Sequence, residues 1–231
     1  MLSFHTDIIQ NHFVITDNNQ HILIDTGCPF NISEENQDRI PRGRMILQDI
    51  RRNVAPNIVE VRGMEYFAKH KILLDFSNAQ VIVADENESL PIFPIAEYTL
   101  LENHDPRFPP NAAGLDRILF TMNINGTNRN MIFDTGASIT DYISRAIAIT
   151  GPVFDTINDF HPNLGGSYNV ERHALSVLIG NENFNIAFGI QPAEVDTDVR
   201  RYGADGVIGI GLYKKYKVLI DLLGRRLTFG R

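Results

Sequence analysis

The stretch Ile22-Leu23-Ile24-Asp25-Thr26-Gly27 has a near copy at Met131-Ile132-Phe133-Asp134-Thr135-Gly136. Each stretch has three apolar residues, a pattern typical of a buried β-strand, followed at once by Asp-Thr-Gly. In each case an earlier apolar strand turns through Asn-containing residues into the strand that carries the motif, which predicts a hairpin. One Asp-Thr-Gly occurs by chance in a chain of this length roughly one time in twenty. Two in the same context indicate an internal repeat.

A second pair of segments supports the repeat. Gly63–Asp75 aligns without a gap with Gly209–Asp221, and both contain an aromatic residue, then two lysines separated by one residue, then three aliphatic residues before the aspartate. The copies differ in length, because 38 residues separate Asp25 from Gly63 and 75 separate Asp134 from Gly209. The second copy therefore carries 37 additional residues. We expect the two repeated aspartates, Asp75 and Asp221, to order strand ends rather than to take part in chemistry.

The apolar runs are short, rich in Ile, Val and Phe, and bounded by Asn, Asp and Gly, which predicts an all-β chain with few short helices. The best helix candidate is Tyr142–Ile149. Three prolines between positions 106 and 110 cannot join a central sheet ladder, so a boundary is expected near there. We predict two pseudo-symmetric lobes, residues 1–104 and 105–231, with a cleft between them.

The repeated aspartates predict chemistry if the two copies face each other. A strand that ends in aspartate puts a carboxylate at the edge of an apolar region, and glycine permits the tight turn that follows. Two carboxylates a few ångströms apart cannot both stay ionised, so Asp25 and Asp134 would share a proton. Such a pair contains both a general base and a general acid.

The chain resembles the aspartic proteases, and among them the retropepsin-like branch, with both protomers of a retroviral-type dimer fused into one chain. The resemblance is carried by the two Asp-Thr-Gly loops and by the later segments Val61-Arg62-Gly63 and Val207-Ile208-Gly209. It implies two β-barrel lobes and hydrolysis of peptide bonds by a water held between the catalytic aspartates Asp25 and Asp134. It also implies a threonine brace beneath the aspartates and binding groups beside them, at Thr26, Thr135, Gly27, Gly136 and Ser138.

The additional segment of the second copy resembles the flap of this family, a glycine-tipped hairpin that closes over bound peptide. Its tip would be Gly165 and Gly166, and Tyr168 or Phe160 would touch the substrate. The alternative is an ordinary surface hairpin. The first copy is too short for such a hairpin, so we expect a single flap.

Besides the missing flap of the first copy, two features depart from the family pattern. Cys28-Pro29 stands where the second copy has Ala137-Ser138, and Pro29 offers no hydrogen-bond donor. Arg62 places a charge where the second copy has Ile208. Arginines cluster at positions 39, 42, 44, 51 and 52, which we interpret as a solvated loop rather than as a site for acidic side chains. We interpret Cys28 as a small, semi-buried thiol rather than as an oxidation switch.

Composition narrows the function classes. The 231 residues include 43% hydrophobic residues and carry a net charge of −7, which disfavours nucleic acid and anionic membranes as partners. The single cysteine excludes an intramolecular disulfide, and the scattered histidines predict no metal or cofactor. The amino-terminal residues lack a signal-peptide pattern, so the chain is expected to be cytoplasmic or exported by a non-classical route. With both aspartates on one chain, a monomer is expected.

The sequence predicts an aspartic endopeptidase that binds an extended peptide or protein substrate. The alternative is a catalytically inactive protease-like module that binds peptides or a partner protein, which Pro29 and the missing first flap favour. A glycosidase carboxylate pair is disfavoured, because those enzymes do not need two matching Asp-Thr-Gly loops.

Overall fold

The computed structural model describes residues 1–105, 115–161, 164 and 166–231. Over these residues the chain forms strands and a few short helices, which confirms the all-β prediction. The strands are β1 Leu2–Ile9, β2 His12–Asp17, β3 Gln20–Ile24, β4 Ile32–Ser33, β5 Ile58–Arg62, β6 Lys71–Asp75, β7 Gln80–Ala84, β8 Pro94–Thr99, β9 Ile118–Ile124, β10 Thr127–Phe133, β11 Asp141–Ile143, β12 Asp155–His161, β13 Gly166–Ile179, β14 Glu182–Ile190, β15 Gly206–Ile208, β16 Lys217–Asp221 and β17 Arg226–Gly230. The helices are α1 Gly43–Asn53, α2 Met64–Phe67, α3 Ala193–Arg201 and α4 Ile210–Tyr213.

The described strands form two sheets. The larger has ten strands in the order β4-β5-β3-β2-β1-β7-β6-β16-β17-β8, and the smaller has seven in the order β12-β13-β14-β11-β15-β10-β9. The carboxyl-terminal strands β16 and β17 thus lie between strands of residues 1–104, and β17 pairs with β8. The boundary expected from the prolines falls at residues 106–114, which lie outside the described residues.

Each Asp-Thr-Gly strand is flanked in the same way. β2 and β3 form an antiparallel hairpin, and β3 also pairs in parallel with β5. β9 and β10 form the matching hairpin, and β10 pairs in parallel with β15. The main-chain N–H of Asp25 donates to the oxygen of Arg62 at 3.1 Å, and that of Asp134 donates to Ile208 at 2.9 Å. The aligned sequence segments therefore occupy equivalent positions in three dimensions.

The second pair of repeated segments meets directly in the ten-stranded sheet. β6 and β16 pair antiparallel, with Leu73 opposite Leu219. The ends of the pair are linked by Lys217 with Asp75 at 3.2 Å and by Lys71 with Asp221 at 3.8 Å. Asp75 also accepts hydrogen bonds from Ser77 and Asn78, and Asp221 accepts one from the main chain of Gly224, each in the turn that follows its strand. The prediction that the two aspartates order strand ends is confirmed.

One local prediction is wrong. The residues from Tyr142 do not form a helix, because Tyr142 and Ile143 belong to the strand β11. This strand pairs in parallel with β14 and antiparallel with β15, so it lies inside the seven-stranded sheet. Both residues are buried, and the tertiary pairing outweighs a short apolar pattern that suits a helix or a strand equally well.

The largest hydrophobic cluster joins the two halves of the chain. Aromatic rings of Phe13, Phe133 and Phe229 lie in it, with Tyr213 in edge contact with Phe13 and Phe133 at centroid distances of 5.6 and 6.5 Å. There are also two smaller clusters, one formed by buried residues of the first half and one by buried residues of the second half. The first-half cluster comprises Val14, Leu23, Cys28, Ile32, Leu47, Ile50, Val54, Ala55, Ile58 and Val61. The largest cluster therefore contains apolar residues of both strands that lead into the Asp-Thr-Gly loops.

Candidate active site

The two Asp-Thr-Gly loops meet through their threonines, which are both completely buried. The N–H of Thr26 donates to Oγ1 of Thr135 at 3.1 Å, and the N–H of Thr135 donates to Oγ1 of Thr26 at 2.9 Å. Each hydroxyl in turn donates to a main-chain oxygen of the opposite strand, Thr26 to Phe133 at 3.2 Å and Thr135 to Ile24 at 2.9 Å. These four bonds fix the two loops against each other without using either carboxyl group.

Above the threonines the two carboxyl groups are brought together and hydrogen-bond each other. Oδ1 of Asp25 accepts from the N–H of Gly27 at 2.8 Å, and Oδ1 of Asp134 accepts from the N–H of Gly136 at 2.7 Å. A Cβ atom at Gly27 would overlap the carboxyl group of Asp134, and one at Gly136 would come within 2.9 Å of Asp25. Only glycine lets each loop approach the opposite carboxyl group this closely.

The proximity of the carboxyl groups changes their acidity. Burial, reinforced by the charge of Asp134, raises the pKa of Asp25 to about 7. Burial also raises the pKa of Asp134, against the lowering effect of the Gly136 N–H. Both groups keep part of their surface open to solvent. Near neutral pH the pair therefore holds one proton and one negative charge, which gives it an acid and a base at the same place.

The residues beside the two aspartates differ between the halves. In the β2–β3 hairpin Phe13 is opposite Ile24, so His12 and Asp25 lie at the same end of the hairpin. In the β9–β10 hairpin Ile118 is opposite Phe133, so Arg117 and Asp134 lie at the same end of that hairpin. Burial lowers the pKa of His12 to about 4, which leaves it neutral at pH 7. Sequence reasoning missed both residues, although the hairpin register could have identified them.

Two further polar side chains, Asn31 and Asp141, hold main-chain segments next to the strands that carry the dyad. Oδ1 of Asn31 accepts from the N–H of Gly63 at 3.0 Å. In the other half Asp141 accepts from the N–H of Gly209 at 2.6 Å and from that of Gly211 at 3.0 Å. These bonds hold the glycine segments that flank the catalytic strands. Burial raises the pKa of Asp141 to about 7. The signal for both was their position, six and seven residues after the motif aspartate.

The charge at Arg62 is accommodated within the first half. The residue occupies the same register position as Ile208, opposite the end of its Asp-Thr-Gly strand. Its guanidinium pairs with Asp17 at 2.8 Å and with Glu60 at 3.3 Å, and it lies 4.9 Å from the ring centre of Tyr66. The substitution is therefore balanced by neighbouring acids and leaves the alignment of the two halves intact.

The Cys28-Pro29 departure has a structural counterpart. Cys28 is buried, its thiol contacts the oxygen of Phe30 at 3.2 Å, and burial raises its pKa to about 12. A thiol in this state is a poor nucleophile, which agrees with the interpretation of Cys28 as a packing residue. On the other side Ser138 is buried, and its main-chain oxygen accepts from the side-chain amide of Asn11 at 2.9 Å.

The predicted flap is a long antiparallel hairpin formed by β12 and β13, in which His161 is opposite Gly166. Gly166 is exposed at its end, and Gly165 lies outside the described residues. Phe160 packs against the first-half cluster, so the hairpin reaches across to the other half of the chain. His161 is largely buried, which lowers its pKa, and its charge interacts with that of Asp134.

Tyr168 contacts other polar side chains of the second half. Its hydroxyl is 3.1 Å from the hydroxyl of Tyr142, which also donates to Asp159 in β12. The three side chains join the two strands of the hairpin to β11, and burial raises the pKa of Asp159. Tyr168 therefore helps to join the hairpin to the rest of the seven-stranded sheet.

The arginine cluster of the first half is partly paired. Arg44 pairs with Asp38 at 2.7 Å, Arg51 pairs with Glu34 at 2.6 Å, and Arg52 lies 3.3 Å from Asp49. These pairs agree with the interpretation as a solvated surface. Within the described part of the chain there is no group of three metal-binding side chains, and no helix there is long and apolar enough to cross a membrane.

No protein-family model matches the chain, and no curated protein matches it in sequence. Among solved structures it is similar to an aspartic proteinase from Irpex lacteus, with a TM-score of 0.38 and 11% identity over 77% of this chain and 63% of that one. It is also similar to Basic 7S globulin from soybean, with a TM-score of 0.39 and 12% identity over 76% of this chain and 57% of that one. The chain spans about three fifths of the length of these structures.

Proposed function

We propose that the chain is a single-chain, retropepsin-like aspartic endopeptidase. The observation that carries the proposal is the contact between the two Asp-Thr-Gly loops, where buried threonines hold Asp25 and Asp134 in one hydrogen-bonded pair. Few structural needs require two like-charged groups at the junction of two equivalent loops, whereas acid–base catalysis does. The cost of burying such a pair supports a catalytic role.

The chemistry follows from the shared proton. The ionised aspartate removes a proton from a water molecule held between the two carboxyl groups, and that water attacks the peptide carbonyl carbon. The protonated aspartate donates its proton to the carbonyl oxygen. As the C–N bond breaks, the pair donates a proton to the departing amine and takes one from a hydroxyl group of the tetrahedral intermediate. A carboxylic acid forms, and one proton remains on the pair. Gly27 and Gly136, which let the two loops approach each other this closely, are proposed to line the substrate main chain beside the dyad.

Substrate is proposed to bind extended in a cleft between lobes 1–104 and 105–231, pairing its main chain with the cleft edges as an added strand. The β12–β13 hairpin is proposed to act as the single flap, with Phe160 and His161 near the bound peptide. Because one chain supplies both aspartates, the active form is proposed to be a monomer.

The proposal is tested by digesting a peptide library at pH 3–8 with wild type, Asp25→Asn and Asp134→Asn. Either substitution removes one carboxyl group while keeping the shape of the side chain, so both variants should lose cleavage and remain folded by circular dichroism. Asp85→Asn, an exposed residue far along the chain from either motif, is the matched control and should cleave like wild type. Normal cleavage by either dyad variant contradicts the proposed function.

The second candidate is an inactive protease-like module that binds peptides. Two observations favour it: Pro29 offers no hydrogen-bond donor where the second half has Ser138, and β4 and α1 stand where the first half would need a flap hairpin. The library experiment separates the candidates. Peptide binding without cleavage at any pH favours the module, and cleavage that depends on both aspartates excludes it.

A further inference from the structure

Arg117 stands out among the residues around the dyad because no role in holding the fold together accounts for its charge. It directly precedes β9, in which Ile118 is opposite Phe133, so Arg117 and Asp134 lie at the same end of the β9–β10 hairpin. Its positive charge opposes the burial-driven rise in the pKa of Asp134, Asp25 and Cys28. It therefore lies within electrostatic range of groups from both halves, at the place where the two loops meet.

The charge of Arg117 is not neutralised by an ion pair within the described parts of the chain. The nearest acid in sequence, Asp116, uses its carboxyl group elsewhere, since Oδ2 contacts Nδ1 of His104 at 2.9 Å and accepts from the N–H of Asp105 at 2.5 Å. By contrast, Arg62 in the first half forms ion pairs with two acidic residues, Asp17 and Glu60. The difference is notable in a chain whose net charge is −7.

The guanidinium of Arg117 is nevertheless held in a defined position. It lies 4.7 Å from the ring centre of Tyr202, and its Nη1 donates to the main-chain oxygen of Asp116 at 2.9 Å. The N–H of Arg117 also donates to Oδ1 of Asn103 at 2.8 Å. Stacking on an aromatic ring orients a guanidinium while leaving its edge able to receive a carboxylate. Little side-chain entropy would be lost when an anion binds to such a group.

We propose that Arg117 makes the cleft selective for peptides that carry a Glu or Asp side chain close to the scissile bond. The inference rests on the proposed endopeptidase function. The dyad carries one negative charge in its active state, and the chain as a whole is acidic, so an acidic substrate side chain would be repelled without a nearby cation. A guanidinium beside the dyad offsets this repulsion and offers a two-point hydrogen bond that a carboxamide cannot match.

The test compares pairs of peptides that differ only by Glu or Gln at each position near a cleaved bond. Wild type should cleave the Glu member faster at one or more positions, by about 10- to 100-fold in kcat/KM. Arg117→Gln should bring that ratio close to one. The ratio is measured within each variant, so a change in rate that is common to both members of a peptide pair does not affect it. Arg117→Lys keeps the charge but loses the two-point contact, so it should retain part of the preference.

Arg129→Gln is the matched control. It makes the same change of charge in the same hairpin, and Arg129 is five residues from Asp134, about 16 Å along an extended strand. It should keep the wild-type preference. The proposal is overturned if wild type cleaves without a preference for Glu, or if Arg117→Gln retains the preference.

Failure of the proposed function can be told apart from failure of this inference. If wild type cleaves no peptide, the endopeptidase proposal fails, and the same Glu and Gln peptides are then compared by fluorescence anisotropy binding. Tighter binding of the Glu peptides that disappears in Arg117→Gln supports the role of Arg117 in a binding module. Equal binding of the two members of each pair overturns it.

Discussion

The two Asp-Thr-Gly loops have nearly the same backbone frame but different electrostatic surroundings. At the end of the first hairpin, the same end as Asp25, lies the buried, neutral His12. At the corresponding end of the second hairpin, with Asp134, lies the charged Arg117. The threonine bonds are reciprocal to within 0.3 Å in length. The two halves thus share the threonines and glycines that position the carboxyl groups. They differ in the residues nearby that affect the charge of those groups.

The largest expected effect comes from filling the space that the glycines leave. In Gly27→Ala the new Cβ atom would overlap the carboxyl group of Asp134, whereas in Gly136→Ala it would approach Asp25 to 2.9 Å. Both changes should lower kcat/KM at least 100-fold, about 3 kcal/mol or more, with the greater loss at Gly27. The check is steady-state kinetics on a peptide cleaved by wild type. A greater loss in Gly136→Ala would contradict the asymmetry.

The pH dependence of stability tests the shared proton. The pKa of Asp25 is raised in the folded chain, so its contribution to stability is complete below about pH 4 and is lost as the pH rises through about 7. At most about 4 kcal/mol is at stake, since one pKa unit corresponds to about 1.4 kcal/mol. Asp141 contributes in the same direction.

Asp25→Asn should therefore reduce the loss of stability between pH 4 and pH 7, because it removes a carboxyl group whose ionisation is opposed by burial and by the charge of Asp134. The measurement is the free energy of unfolding in urea at several pH values. Asp85→Asn serves as the control, since that side chain is exposed. An Asp25→Asn variant with the same pH dependence as wild type would show that the pKa of Asp25 is not raised in the folded chain.

The threonine brace should be equally sensitive on both sides. Thr26→Val and Thr135→Val each leave a buried N–H without its partner, which costs about 1–3 kcal/mol of unfolding free energy. Because the bonds are reciprocal, the two variants should differ by less than about 1 kcal/mol, and the double variant should cost less than their sum. Denaturant unfolding measures all three. Clearly unequal losses of unfolding free energy in the two single variants would show that the hydroxyl group of one threonine contributes most of the stabilisation.

The smallest expected effect concerns Cys28. With its thiol buried and its pKa raised to about 12, the native chain should react with iodoacetamide at pH 8 far more slowly than the unfolded chain. Cys28→Ala should leave kcat/KM within about threefold of wild type. Mass spectrometry of the alkylated chain provides the measurement, and rapid native labelling would reopen the interpretation of Cys28 as an oxidation switch.

Much of the fold was predictable from local pattern. Apolar runs that end in Asp-Thr-Gly, and the gapless match of Gly63–Asp75 with Gly209–Asp221, were enough to predict two equivalent β-rich halves. Tyr142 was assigned to a helix because four or five apolar residues do not distinguish the two periods, and only pairing with β14 and β15 decides between them. The position of β16 and β17 depends on contacts distant in sequence, which a local pattern does not contain.

The site was predictable to the extent that it is repeated. The aspartates, threonines and glycines occur twice and could be found by comparing the halves. Arg117, His12 and Asp141 are not found by that comparison, because the first two differ between the halves and Asp141 corresponds to an asparagine, Asn31. Strand register and position after the motif were the signals for them, and the charge that surrounds each residue depends on the three-dimensional structure.

The most direct test of the central claim, that Asp25 and Asp134 form one acid pair, is a carboxyl carbon NMR titration of wild type and of Asp134→Asn. We predict that Asp25 titrates near pH 7 in wild type and several tenths of a pH unit or more lower in Asp134→Asn, where the like charge is gone. Titration of Asp25 near its ordinary value of 3.8 in both proteins would contradict the account.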